Sequence, residues 1–232
     1  LDDPLATVAA IFHTLNHATF KASLFMAAGA IDHETGSRDM RQLNGLWPLM
    51  PVTAVLAITS TLAMAGVPLL NGFLSKEMFF AETLLVERHG LVQVAVPLLA
   101  TLAGAFSVAY SARFVHDVFW NGEPRDLPRP PHDPPRWMLV PIGVLALLCV
   151  LVGLFPEVIV GRLLATAAQA AVGGPLPAYT LEIWHGFSLP LLMSALATTT
   201  GVVFYFFLQR LFHLHDRVHL PKGGREIFAG LL

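Results

Sequence analysis

Five long apolar stretches follow one another along this sequence, and they leave the chain few ways to fold. The first runs from about Leu5 to Ile31 and the second from about Leu49 to Arg88 with a break. The third covers about Leu91 to Trp120, the fourth Trp137 to Pro156, and the fifth Phe187 to Gln209. Each is too long and too poor in charge for an ordinary core helix, whereas about 20 apolar residues cross a hydrocarbon layer of about 30 Å. Only 13% of the 232 residues are charged, and a soluble domain carries about twice that share. A surface so poor in charge is made for lipid. The sequence therefore predicts an all-α fold, a polytopic membrane helical bundle of about five transmembrane helices. The formal net charge of −2 excludes a nucleic-acid binder, and the single cysteine, Cys149, excludes a disulfide scaffold. Because the chain opens on Leu1 and stops within a fresh apolar run, it reads as an internal piece of a longer polypeptide.

The connections fix an orientation. Asn121 to Arg136 reads NGEPRDLPRPPHDPPR, and its prolines remove backbone donors and forbid a helix, so the segment belongs in water. Glu157 to Gly186 forms a second loop, with a short amphipathic helix expected around Val160 to Val172. Threading five spans places ten basic residues on one side: Arg38, Arg41, Arg113, Arg125, Arg129, Arg136, Arg210, Arg217, Lys222 and Arg225. Only Arg88 and Arg162 fall on the other. Basic residues accumulate in cytoplasmic loops, so segments 33–48, 121–136 and 210–225 are expected to be cytoplasmic.

Within the first stretch, IFHTLNHATFKASLF sets His13, His17 and Lys21 four residues apart. Four residues turn a helix by about 400°, so the three form one slowly drifting stripe about 12 Å long. An ionisable group near the bilayer centre costs roughly 2.5–3.5 kcal/mol or more, and it must face a partner, water or a cavity. Imidazole accepts and donates protons near neutrality, and an amine beside it extends the chain of exchangeable protons. The stripe suits a proton relay; interhelical hydrogen bonding that only holds a bundle together is the plainer use of the same groups. A zinc site is disfavoured, since the glutamate of H-E-x-x-H is absent.

The second stretch contains MAGVPLLNGFLSKEMF. Pro68 removes a backbone bond, Gly66 and Gly72 accept unusual dihedrals, and Asn71 and Ser75 offer partners to the freed groups. Non-helical backbone at membrane depth is tolerated inside protein or beside a water-filled cavity, and discontinuous helices build ion sites in this way. Lys76 follows the break, with Glu77 beside it and Glu82 further along. The plainer alternative is a proline kink with Lys76 snorkelling to the interface.

Other polar groups are weaker candidates. Arg113, His116 and Asp117 close the third stretch, where reaching for headgroups is the first reading and a role in proton access the second. Ser107 and Tyr110 either line a cavity or tighten packing. His213, His215 and His219 in FHLHDRVHL read as an interfacial segment rather than a metal site. Trp120 and Trp137 fit an aromatic belt.

HTLNHATFKASLFMAAGAIDHETGSRD followed by MAGVPLLNGFLSKE resembles the large antiporter-type subunits shared by respiratory complex I and the Mrp sodium/proton antiporters. IDHETGSRDMRQLNGL and EIWHGFSLPL, the latter carrying Trp184 and His185, resemble the A-type member of the Mrp set specifically. The resemblance implies the C-terminal part of an inverted-repeat antiporter-like fold, with one broken helix. It divides the chain into part of the second repeat over 1–120, the Pro-rich cytoplasmic loop 121–136, and C-terminal spans and interfacial segments over 137–232. It maps the family's proton-carrying residues on His13, His17, Lys21 and Lys76. It further implies a secondary transporter rather than an enzyme, without cofactor or metal, set in the cell's inner (plasma) membrane. Its partners would be the lipid bilayer and the other subunits of the complex, with H⁺ and Na⁺ as the transported ions. The homologous proton-pumping subunit of an NADH-quinone oxidoreductase and a non-transporting membrane scaffold are the alternatives.

Overall fold

A computed structural model describes residues 3–85, 90–184 and 186–217, with side chains to residue 210. Arg88, His185, His219, Lys222 and Arg225 lie outside the described residues, as do the side chains of His213, His215 and Arg217. Every regular element among the described residues is helical.

The first apolar stretch is one helix, α1 (Pro4–Thr35). Asp3 caps its start, its carboxylate accepting from the N–H groups of Leu5 at 2.9 Å and Ala6 at 3.4 Å. Pro4, with no N–H to lose, opens the first turn. Gly36 ends the helix in the left-handed region at φ 72°, its N–H donating to the Asp32 carbonyl. The second stretch is divided into α2 (Pro51–Ala65) and α3 (Asn71–Leu84), and the third is α4 (Leu91–Val115), which runs on into a π-helical turn, His116–Trp120. The fourth is α5 (Arg136–Leu154); a second π-helical turn, Glu157–Gly161, then leads into α6 (Arg162–Val172), the expected amphipathic helix. The fifth is α7 (Leu189–Arg217). Because α7 continues to Arg217, the first part of segment 210–225, expected as a loop, is helical; the rest lies outside the described residues.

Leu91–Trp120, Arg136–Leu154 and Leu189–Arg210 are each long and apolar enough to cross a membrane. Helix α1 has the length but carries the polar stripe, and the break divides the apolar run of the second stretch. Helix α1 is the axis of the bundle, packed against α2, α3, α5 and α6, while α4 and α7 lie along each other and flank α2 and α3. Polar side chains stitch the axis in place: the buried Ser60 hydroxyl donates to Ser23 at 2.7 Å, and Ser23 donates to the Ile142 carbonyl at 3.3 Å. Apolar clusters fill both ends, Ile31, Leu46, Met50, Phe119 and Ile142 at one and Val8, Phe12, Phe73, Val152 and Leu164 at the other.

The Pro-rich segment is free of helix from Asn121 to Pro135, yet it is more than a loop in water. Asp133 accepts from the N–H groups of Val52 at 3.0 Å and Thr53 at 2.9 Å and from the Thr53 hydroxyl at 2.8 Å. It thereby caps α2, whose own N-cap residue, Met50, makes no side-chain cap bond. Arg129 donates through its guanidinium to the His33 carbonyl and through its N–H to the Thr35 carbonyl, closing the end of α1. Nearby, the side-chain and backbone hydrogen bonds of Arg41 hold the pKa of the exposed Asp39 carboxyl down to about 2.

Candidate functional site

The site begins with the interruption between α2 and α3. Gly66 stops α2 at φ 87°, and Leu69, at φ 70°, adopts a left-handed conformation that an L side chain resists. Close packing holds the interruption: a Cβ at Gly72 would strike the Ala63 carbonyl, and one at Gly153 would strike the Leu69 carbonyl. The helix end leaves carbonyls without intrahelical donors. Asn71 does not supply them, as its buried amide has no partner among the described residues, and Gly72 lies within α3 rather than in the interruption. Lys76 supplies them instead. Its ammonium donates to the carbonyls of Met64 at 2.7 Å and Ala65 at 3.0 Å, and to the Ser107 hydroxyl at 3.4 Å. A cation on the carbonyl end of a helix is also favoured by the helix dipole. Lys76 therefore turns into the protein and does not snorkel.

Around it lies a cavity of about 180 Å³, lined by His13, His17, Lys21 and Lys76 together with Ser107 and Tyr110 among others. The structure thus brings all four sequence-predicted residues to one space, three from α1 and one from α3. The His13 imidazole Nδ1 is 3.2 Å from the Ser75 hydroxyl, and its ring centroid lies 6.0 Å from that of His17. Lys21 holds its ammonium 5.4 Å from the centroid of the Tyr110 ring, a cation–π arrangement. The Tyr110 hydroxyl is in turn 3.2 Å from that of Ser107, which donates to the Met64 carbonyl at 3.1 Å. Lys21 and Lys76, on different helices, are joined by the α4 residues Tyr110 and Ser107. A cavity of this size holds several waters, and water can complete the contacts that the side chains do not make directly.

Glu77, beside Lys76 in the sequence, and Glu82, further along, face elsewhere. Glu77 and Glu82 line a separate cavity of about 310 Å³ with Tyr179, Glu182 and Ser188, and the Ser188 hydroxyl donates to Glu77 at 3.4 Å. Arg113, His116 and Asp117 also stay outside the central space, forming a polar cluster near the end of α4. Trp120 stacks on Trp47 at 5.6 Å, a pairing that no local sequence pattern signals.

Comparison with known proteins places these helices. Residues 4–103 match the family described as NADH:quinone oxidoreductase/Mrp antiporter, TM. The whole chain is 53% identical to a stretch of a probable K(+)/H(+) antiporter protein of Rhizobium meliloti, its A/B-type subunit, covering 24% of that protein. Over 217 residues, 89% of this chain, it is 40% identical to the A-type subunit of a Na(+)/H(+) antiporter of Bacillus subtilis, covering 27% of it. The solved structure of the Mrp complex from Dietzia sp. DQ12-45-1b superimposes with a TM-score of 0.78 at 35% identity, over 98% of this chain and 24% of that one. The chain spans about a quarter of the length of these relatives.

Proposed function

We propose that this chain, which belongs to the NADH:quinone oxidoreductase/Mrp antiporter transmembrane family, is the proton-handling part of a membrane subunit that exchanges a monovalent cation for H⁺. One observation carries this reading: His13, His17, Lys21 and Lys76 share one cavity, with Ser107 and Tyr110 bridging the two amines. Groups that only hold helices together would each need one partner and no common space. These groups line a common space, and each can both take up and release a proton. Protons pass between the imidazoles and the amines through side-chain and water contacts.

The relatives named for antiporter subunits support exchange rather than electron-driven pumping. Their names divide between K⁺ and Na⁺, so both cations belong in the assay. The other subunits of the complex are the expected partners, the plasma membrane is the expected location, and segments 33–48 and 121–136 face the cytoplasm by the distribution of basic residues. The parts of the chain that carry the proposed roles are the second-repeat portion over 1–120, the loop 121–136 and the C-terminal spans over 137–232.

Lys76 both caps α2 and titrates, and two variants separate the roles. Lys76→Arg keeps a permanent cation at the carbonyls but cannot give up its proton. In the full complex, assayed in everted vesicles, it assembles and loses cation/proton exchange by at least about a hundredfold; Lys76→Ala loses exchange and stability together. Normal exchange in Lys76→Arg would refute the role.

A further inference from the structure

We propose that Asp117, His116, Tyr205 and Gln209 form a second proton-handling site, joined through Tyr110 to the central cavity, which opens that cavity toward the side of the 121–135 segment. The proposal rests on the reading given above and adds a route to it.

Tyr110 lines two cavities. One is the central space around Lys76; the other, of about 160 Å³, lies between α4 and α7 and is lined by Phe106, Arg113, Asp117, Tyr205 and Gln209 among others. The tyrosine ring is part of the wall between them. Its hydroxyl points to Ser107, and its face meets the ammonium of Lys21.

A polar network runs along the second cavity. Asp117 accepts from Arg113 Nε at 3.4 Å and from the Tyr205 hydroxyl at 3.5 Å, and lies 3.2 Å from His116 Nδ1. The Gln209 amide donates to the Tyr205 hydroxyl and reaches His116 Nδ1 at 3.3 Å. These residues come from α4, its π-helical turn and α7, so the network crosses a helix interface. Side chains that merely reach for headgroups would extend singly outward, whereas these are tied to one another, and the Asp117 carboxylate is only 21% exposed. His116 and Asp117 sit on a π-helical turn, a rare geometry that occurs frequently at functional sites. The same turn leads directly into the 121–135 segment, and the Leu46 and Trp47 N–H groups donate to its Val118 and Phe119 carbonyls. All four residues of the second site lie beyond residue 103, where the family match ends.

Asp117, Tyr205 and Gln209 line one small space, and the His116 ring meets Asp117 and Gln209 beside it, so exchangeable hydrogens run from one group to the next. A proton taken up by Asp117 from the 121–135 side passes by way of His116 or cavity water to the Tyr110 wall, and from there to water beside the amines. Only O–H and N–H bonds form and break. Each group returns to its starting state, so the sum is one proton moved.

The test uses the full complex in proteoliposomes of known orientation, with the pH varied on each face separately and Na⁺ or K⁺ as the driving cation. Asp117→Asn is expected to lower exchange at least about tenfold, and to flatten its dependence on the pH of the face carrying the 121–135 segment. Dependence on the pH of the opposite face stays as in the wild type. Asp117→Glu restores both, and Tyr205→Phe gives a smaller loss with the same one-sided flattening. A merely structural role would not produce a one-sided effect. Lys76→Arg, run in parallel, separates the layers of inference. Where that variant is inactive and Asp117→Asn keeps the wild-type rate and both pH dependences, the second site is overturned and the central relay stands. Where Lys76→Arg is itself active, the relay falls and the second site with it.

Discussion

A single missing side chain makes room for the group on which the site turns. A Cβ built on Gly66 would lie 2.9 Å from Lys76 Cδ and 3.4 Å from its Nζ, and the residue's φ of 87° disfavours any L side chain. Gly66→Ala should therefore cost about 1–2 kcal/mol from the backbone alone and push the ammonium off the Met64 and Ala65 carbonyls. The expected outcome is a lower melting temperature of the purified complex together with weakened exchange. Gly143→Ala is the control, since a Cβ there would meet only Leu56 methyls at 3.9 Å. At this scale the sequence is informative where chemistry follows spacing. His13, His17 and Lys21 share a face because four residues nearly complete a helical turn, and that arithmetic needs no tertiary structure. Lys76 is conspicuous as a charge in an apolar run, but its partners lie on α2 and α4, and no local rule joins residue 76 to Met64 or Ser107. Asn71, which local sequence assigns to the interruption, remains buried without a side-chain partner among the described residues.

Helices here end on groups borrowed from distant segments, which is why their boundaries are harder to read than their existence. The five apolar stretches mark their helices to within a few residues except at the end of α7, which continues past Gln209 to Arg217, and Gly66 and Pro68 mark the division of the second. By contrast, the start of α2 depends on Asp133, 80 residues away along the chain from Thr53. A run of prolines reads as an excluded, hydrated loop because it cannot be helical; that it also carries caps for α1 and α2 depends on where the fold returns it. Asp133→Ala removes acceptors for two N–H groups and a hydroxyl, and should cost about 1–2 kcal/mol. Hydrogen exchange at the amides of Val52 and Thr53 should accelerate, with the amides within α5 unchanged. Protection at Val52 and Thr53 equal to the wild type would show that water replaces the cap without loss.

Across the whole molecule, α7 is held mainly by close contact with α4. A Cβ at Gly201 would collide with the Ala105 carbonyl and with Val108, and one at Gly104 would lie 3.1 Å from the Ala197 methyl. Small residues at such crossings let backbones approach closely in the absence of a hydrophobic force between helices in lipid. Gly201→Leu should wedge α7 away, separate Tyr205 and Gln209 from Asp117, and expose the segment before α7 to limited proteolysis while α1–α3 stay packed. Any bundle that moves protons must also survive their departure. The ammonium of Lys76 has three N–H groups, and three acceptors surround it. After deprotonation two N–H groups remain, enough for the two stranded carbonyls, and the new lone pair can accept from Ser107. A reorienting hydroxyl thus absorbs the change of charge state, so the helix end stays satisfied whether Lys76 is charged or neutral.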